Sequence, residues 1–150
     1  MQGKIEAHFL GAFREEHLAI IKRLGLEDSV KVHGYLNHQE CVEFLLESDV
    51  LWLMMRDDES TPGKIFEYIG TGKQILGCVP EGTMSEIITE AGGICCLPDD
   101  IPEIKRSIEF LFGEFLRNEL QGADQSVIEQ YNRKSLTGKL AGVFDSVMKK

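Results

Sequence analysis

The sequence predicts an α/β fold, a mostly parallel sheet with helices on both faces. Three observations carry this. Short apolar runs alternate with segments of helical periodicity along the whole chain. One run, Asp49 to Met54, is apolar almost throughout, as strands covered on both faces are. Residues that start and stop helices fall between the runs. Strands separated by helices are joined by crossovers, and crossovers make neighbouring strands parallel.

Each element has its own local reason. Ile5 to Leu10 reads as a strand ending at Gly11, and residues 14–24 place Leu18, Ile21 and Leu24 on one helical face. Val30 to His33 is a short strand closed by Gly34. Asn37 followed by Glu40 is a capping pair that opens a helix running to about Glu47. After the strand 49–54, Thr61-Pro62 reads as an N-cap with proline at the first helical position, and Gly70 and Gly72 bracket the end. Gln74 to Cys78 is the next strand, 84–91 the next helix, and 93–97 the last strand. Asp100 and Glu103 cap a long helix striped by Ile104, Ile108, Leu111, Phe112 and Phe115. Beyond the break at 121–124, a short helical turn leads into a helix over 133–148.

Size and charge bound the function. The 150 residues, 43% of them hydrophobic, fit one domain, 1–150, whose segment 126–150 is a helical tail. The net charge of −9 argues against binding nucleic acid or an anionic membrane through the whole surface. The tail is the exception: 126–150 carries +3 and the remainder −12. No run approaches the roughly 20 apolar residues of a membrane span, and no signal-peptide pattern opens the sequence. A soluble, cytoplasmic chain is expected. Cys41, Cys78, Cys95 and Cys96 lack metal-ligand or redox spacing, and reduced, buried thiols are the simpler reading.

Parallel sheets of this Rossmann type bind ligands at the carboxyl ends of their strands, where Gly11, Gly34, 55–62 and 79–85 would gather. The informative segment is Glu59-Ser-Thr-Pro-Gly-Lys-Ile-Phe-Glu67-Tyr-Ile-Gly-Thr-Gly-Lys73. At about 100° per residue, Gly63, Lys64, Glu67, Gly70 and Thr71 share one face, with Ile65 and Ile69 opposite. First-turn N–H groups and the dipole suit an anion. Lys64 in that turn opposes the dipole unless an anion compensates. Glu67, a turn deeper, has the acceptors to take hydrogen bonds from paired hydroxyls. Periodicity alone equally allows a bland alternative, an exposed Lys64–Glu67 pair worth a few tenths of a kcal/mol.

Glu59 and Glu67, with seven residues between them, around Pro-Gly-Lys-x-Phe-Glu-Tyr and then Gly-x-Gly-Lys-x-Ile-Leu, resemble the E-x7-E region of retaining, group 1 GT-B glycosyltransferases. The likeness extends upstream through Phe9-Leu-Gly11, Leu24 to Leu36 and Ser48-Asp49-Val, and downstream through Glu86 to Gly93. It implies the C-terminal, donor-binding half of a GT-B fold, whose substrate is a nucleotide-diphospho-sugar used to build a polysaccharide or glycoconjugate. Glu67 would bind the ribose hydroxyls, and Glu59 would act at the donor sugar. Thr61, Gly63 and Lys64 would hold the diphosphate, Gly34, Tyr35 and Leu36 would border the base, and Met84 and Ser85 would lie near base or ribose. No metal or other cofactor is called for. The family's first βα unit and its N-terminal acceptor domain are missing from the sequence, which implies a fragment inactive alone, whose full-length enzyme is cytoplasmic or peripheral to a membrane.

Two alternatives remain at this point: half of a sugar-nucleotide epimerase of the same fold, and a non-catalytic nucleotide-binding or interaction domain. A receiver domain is disfavoured because Gly11-Ala-Phe and Leu97-Pro-Asp supply neither its acidic cluster nor its lysine. A dinucleotide site lacks its G-x-G-x-x-G turn. The four histidines show no ligand spacing. Cys95 and Cys96 must point to opposite sheet faces, and Trp52 reads as core. The stripe Leu136, Leu140, Val143, Phe144 and Val147, without the other half of the enzyme, would be free for homodimer contacts.

Overall fold

The computed structural model describes residues 4–57 and 62–148. Glu59, Ser60 and Thr61 lie outside the described residues. Contacts divide the chain into two compact units, Met1–Phe44 and Leu45–Lys150. The class is α/β with parallel sheets flanked by helices, as the alternation predicts.

The first unit contains β1 (Ala7–Phe9), α1 (Glu15–Arg23), β2 (Val30–Val32) and the start of α2 (His38–Glu47). β1 and β2 pair in parallel with Ala7 opposite Val30, and the His33 N–H extends the ladder onto the Phe9 carbonyl at 3.0 Å. α2 starts where the capping pair predicts. Asn37 Oδ1 accepts from the Glu40 N–H at 3.0 Å, and Glu40 Oε2 accepts from the Asn37 N–H at 2.8 Å. α1 differs from expectation: it forms, but none of its residues is buried, and Leu18 and Leu24 are exposed.

The second unit contains β3 (Val50–Met54), α3 (Lys64–Thr71), β4 (Gln74–Cys78), α4 (Thr83–Glu90), β5 (Ile94–Cys96), α5 (Ile101–Arg117), α6 (Gln125–Tyr131) and α7 (Arg133–Met148). Its sheet is parallel in the order β3-β4-β5, with Val50 opposite Gln74 and Leu76 opposite Ile94. β4 is central and buried at every residue. One sheet face packs Leu53 and Ile75 on Ile65 and Ile69 of α3 and on Met84 and Ile88 of α4, with Val127, Ile128 and Tyr131 of α6 alongside. The other packs Leu76, Cys78 and Cys96 on Ile104, Ile108 and Leu111 of α5, and Trp52 lies half-buried there. Asp100 caps α5 through the Glu103 N–H at 2.9 Å. No residue of α7 is buried, and Phe115, predicted in the α5 core stripe, is exposed.

The five strands therefore form two sheets, of two and three strands, where a single sheet was expected. Alternation with helices fixes that neighbours run parallel. It does not fix how many strands share one ladder, because pairing partners lie far apart in sequence.

Cys78 and Cys96 are buried as the sequence predicts, whereas Cys41 and Cys95 are only half-buried. All four thiols are free. Cys95 faces α4, its Sγ 3.6 Å from the Ser85 carbonyl, while Cys96 lies on the α5 side, 3.5 Å from Cys78 Sγ. Burial, then its hydrogen bond to Cys78, pushes the Cys96 thiol up to about 12. An acid whose folded value is raised stabilises the fold below its unfolded value, and that stability is lost as pH rises toward the folded one. The melting temperature should therefore fall as pH rises from about 9 toward 12. Cys96→Ala should flatten that alkaline limb in pH-resolved calorimetry. A limb equally steep in the variant would assign the effect elsewhere.

Candidate functional site

The carboxyl end of the three-stranded sheet is held together beyond its strands. The Met55 N–H donates to the Cys78 carbonyl and the Val79 N–H to the Cys96 carbonyl, each at 3.0 Å. The chain leaving β3 enters α3 at this end, which is where parallel sheets present ligand loops. The helix begins later than predicted. Its N-cap is Gly63, in helical conformation at φ −55° and ψ −22°, and its first helical residue is Lys64. The Ile65 N–H donates to the Pro62 carbonyl at 3.1 Å and the Phe66 N–H to the Gly63 carbonyl at 3.2 Å, both i to i−3 bonds. This tight entry turn consumes Pro62 ahead of the helix. The expected Pro62 position at the first helical residue is accordingly corrected by two residues, while the Thr61 cap lies outside the described residues. The other end matches, with Gly72 in the left-handed cap at φ +68°.

The face predicted by periodicity is open. Gly63, Lys64, Glu67 and Gly70 are all exposed, and a Cβ built on either glycine meets no atom within 4 Å. Ile65 and Ile69 on the opposite side are fully buried. Among the described residues, neither Lys64 nor Glu67 makes a hydrogen bond or an ion pair, so the bland alternative of a Lys64–Glu67 pair is not realised there. Thr71 ends this face differently: its hydroxyl donates to the Tyr68 carbonyl at 2.7 Å and accepts from the Lys73 N–H at 3.2 Å. The Tyr68 phenol is held above its ordinary value, first by burial and then by the negative charge of Glu67.

α4 also starts at this end of the sheet. Ser85 Oγ accepts from the Gly82 N–H at 3.0 Å and donates to the Gly82 carbonyl at 2.8 Å, so its hydroxyl closes the helix entry. Met84, placed near the ligand by resemblance, points into the core and is 3% exposed. In the first unit, Gly34 takes a left-handed φ of +69°, and its carbonyl accepts from the Gly11 N–H at 2.7 Å. Tyr35 is 92% exposed and Leu36 half-buried.

Two arrangements escaped sequence reasoning. His8 and His33 join across β1 and β2, Nδ1 to Nε2 at 2.9 Å. Glu90 of α4 accepts from the Tyr131 hydroxyl at 2.9 Å and the Gln130 amide at 3.0 Å, which fastens α6 beside α3 and α4. The bond from Tyr131 to Glu90 also helps raise the Tyr131 phenol, after burial. Neither had a signal in residue spacing, because both depend on which distant elements pack together.

No described helix is long and apolar enough to cross a membrane. No curated protein matches the chain. A family model does: the one for glycosyl transferases group 1 covers residues 2–135, from before β1 into the first turn of α7. That span takes in both parallel sheets, the open face of α3 and the loop at Gly34, and on it the chain belongs to the group 1 glycosyl transferases.

Proposed function

We propose that this chain is the donor-binding half of its transferase and takes a nucleotide-diphospho-sugar on the open face of α3. The observation that carries the reading is that face itself. One acid and one base, Glu67 and Lys64, stand exposed without partners among the described residues, between two glycines that leave the surface low. An exposed pair one turn apart gains only a few tenths of a kcal/mol, so both groups are available to a ligand with both an anion and hydroxyls. The diphosphate lies against the first-turn N–H groups of α3 and Lys64, and the ribose hydroxyls donate to Glu67. Gly63 admits the close approach, and Thr61 adds to the diphosphate contacts. Glu59 contacts the donor sugar in the E-x7-E arrangement, and Gly34, Tyr35 and Leu36 border the base. Ser85 serves this site through its hold on the α4 entry. Helix-end N–H groups and Lys64 stabilise the departing diphosphate, so the reading calls for no metal.

The acceptor-binding half completes the cleft, and the chain alone turns over no donor. The exposed stripe of α7 is left for that other half or for a second copy of this chain. Titration of the full chain with uridine, guanosine and adenosine diphosphates tests the reading by amide NMR. Shifts should concentrate at 63–67 and 34–36. Shifts confined to other segments, or none at millimolar nucleotide, would refute the site.

A further inference from the structure

A second recess lies at the other end of the three-stranded sheet, where its strands begin. Asp49, Lys73, Gln74, Phe115, Asn118 and Gly122 line a cavity there of about 230 Å³. The parallel register builds it. Val50 stands opposite Gln74, and the register carried back one residue sets Asp49 beside Lys73. The end of α5 supplies Phe115 and, in its left-handed cap at φ +57°, Asn118. Gly122 packs its main chain on that of Gly72, so this wall is backbone and no side chain rotates away from it. Phe115 has the periodicity of a core residue yet stays outside the core, 46% exposed.

The polar groups of this cavity are unspent. Gln74 is 7% exposed, and its amide nitrogen donates to the Ile75 and Gly92 carbonyls at 3.2 and 3.3 Å. Its amide oxygen has no partner among the described residues, and no fully buried side-chain oxygen among them lacks one. That oxygen therefore reaches open space, and the cavity is the space Gln74 borders. The side chains of Asp49, Lys73 and Asn118 likewise make no hydrogen bond or ion pair among the described residues. One carboxylate and one ammonium cancel, which disfavours a phosphate or a simple amine. An acceptor, a donor and two amides suit neighbouring hydroxyls, each of which both donates and accepts. An aromatic face next to a few placed polar groups suits the C–H side of a sugar ring.

We propose that this cavity binds one pyranose ring of a neutral saccharide, its hydroxyls on Asp49, Lys73, Gln74 and Asn118 and its C–H face on Phe115. α3 starts at the carboxyl end of the sheet and finishes here, so the cavity anchors a glycan apart from the donor. It stands whether or not the nucleotide reading holds. The full chain is titrated by amide NMR with glucose, galactose, mannose and N-acetylglucosamine, and with sorbitol, which has the hydroxyls without the ring. At least one sugar should bind with a Kd of about 1–10 mM and shift the amides of 49, 72–74 and 118–122. Sorbitol should leave them in place. Phe115→Leu and Asn118→Gly should each weaken that sugar about three- to tenfold. Both side chains are exposed and glycine accepts the left-handed cap, so the melting temperature should hold in both variants. No sugar shifts at these amides at about 100 mM, shifts confined to other segments, equal shifts from sorbitol, or unchanged affinity in either variant would each overturn the proposal.

Discussion

Glu67→Ala should weaken nucleoside diphosphate binding about 10- to 100-fold, the loss expected when hydrogen bonds to a charged acceptor disappear. The carboxylate stands on the exposed face of α3 and makes no hydrogen bond or ion pair among the described residues. Its removal therefore leaves no buried group unsatisfied. The only folded-state terms in play are the favourable charge of an acid in the first helical turn, about 0.3–1 kcal/mol, and the better helix propensity of alanine, which offsets part of it. Binding and stability should consequently separate, with affinity by calorimetry falling and the melting temperature nearly constant. Lys64→Ala should act in the same sense on nucleoside diphosphates and weakly on the free nucleoside, because its role is confined to the diphosphate. If Glu67→Ala binds as tightly as wild type, the ribose has another partner and α3 is an ordinary surface helix.

Gly122→Ala should cost about 3 kcal/mol or more, at the upper end of overpacking effects. A Cβ at this position would sit 1.8 Å from the Gly72 carbonyl oxygen and 2.6 Å from the Lys73 carbonyl carbon. Both are main-chain atoms, so no side-chain rotation relieves the clash. Relief requires moving the left-handed cap that ends α3 or the start of buried β4. The loss is a large fraction of the 5–15 kcal/mol typical of a folded domain. Urea denaturation should show a lower midpoint. Gly138→Ala is the control: it lies in exposed α7 with nothing within 4 Å of its Cβ, and alanine there should be neutral or stabilising by up to about 1 kcal/mol. Equal midpoints for the Gly122→Ala and wild-type chains would mean that the 121–124 turn moves freely away from α3.

What could be read in advance follows the range of the interaction that decides it. The Asn37–Glu40 and Asp100–Glu103 caps, the Gly72 stop and the 133–148 helix are settled within a few residues, and the structure reproduces them. The open face of α3 was legible for the same reason, since one helical period sorts Ile65 and Ile69 from Lys64 and Glu67. Pro62 misled only locally, because an i to i−3 turn moved the helix start past it. Contacts between distant segments were not legible. The division into two sheets, the exposure of Leu18, the His8–His33 bond and the Gly122–Gly72 approach all depend on how strands and turns remote in sequence meet. Gly122 looked like a mere interruption between helices, although among the described glycines it has the least room for a side chain.

α7 has a further consequence for how the molecule reports on itself. A 16-residue helix with no buried side chain sits near the length at which isolated helices are marginal in water. Its amides open without disturbing the layers around β4, so part of the far-ultraviolet circular dichroism belongs to a segment that frays early and gradually. A thermal scan followed by that signal alone would show a sloping native baseline and too broad a transition, whereas the fluorescence of Trp52 follows the sheet.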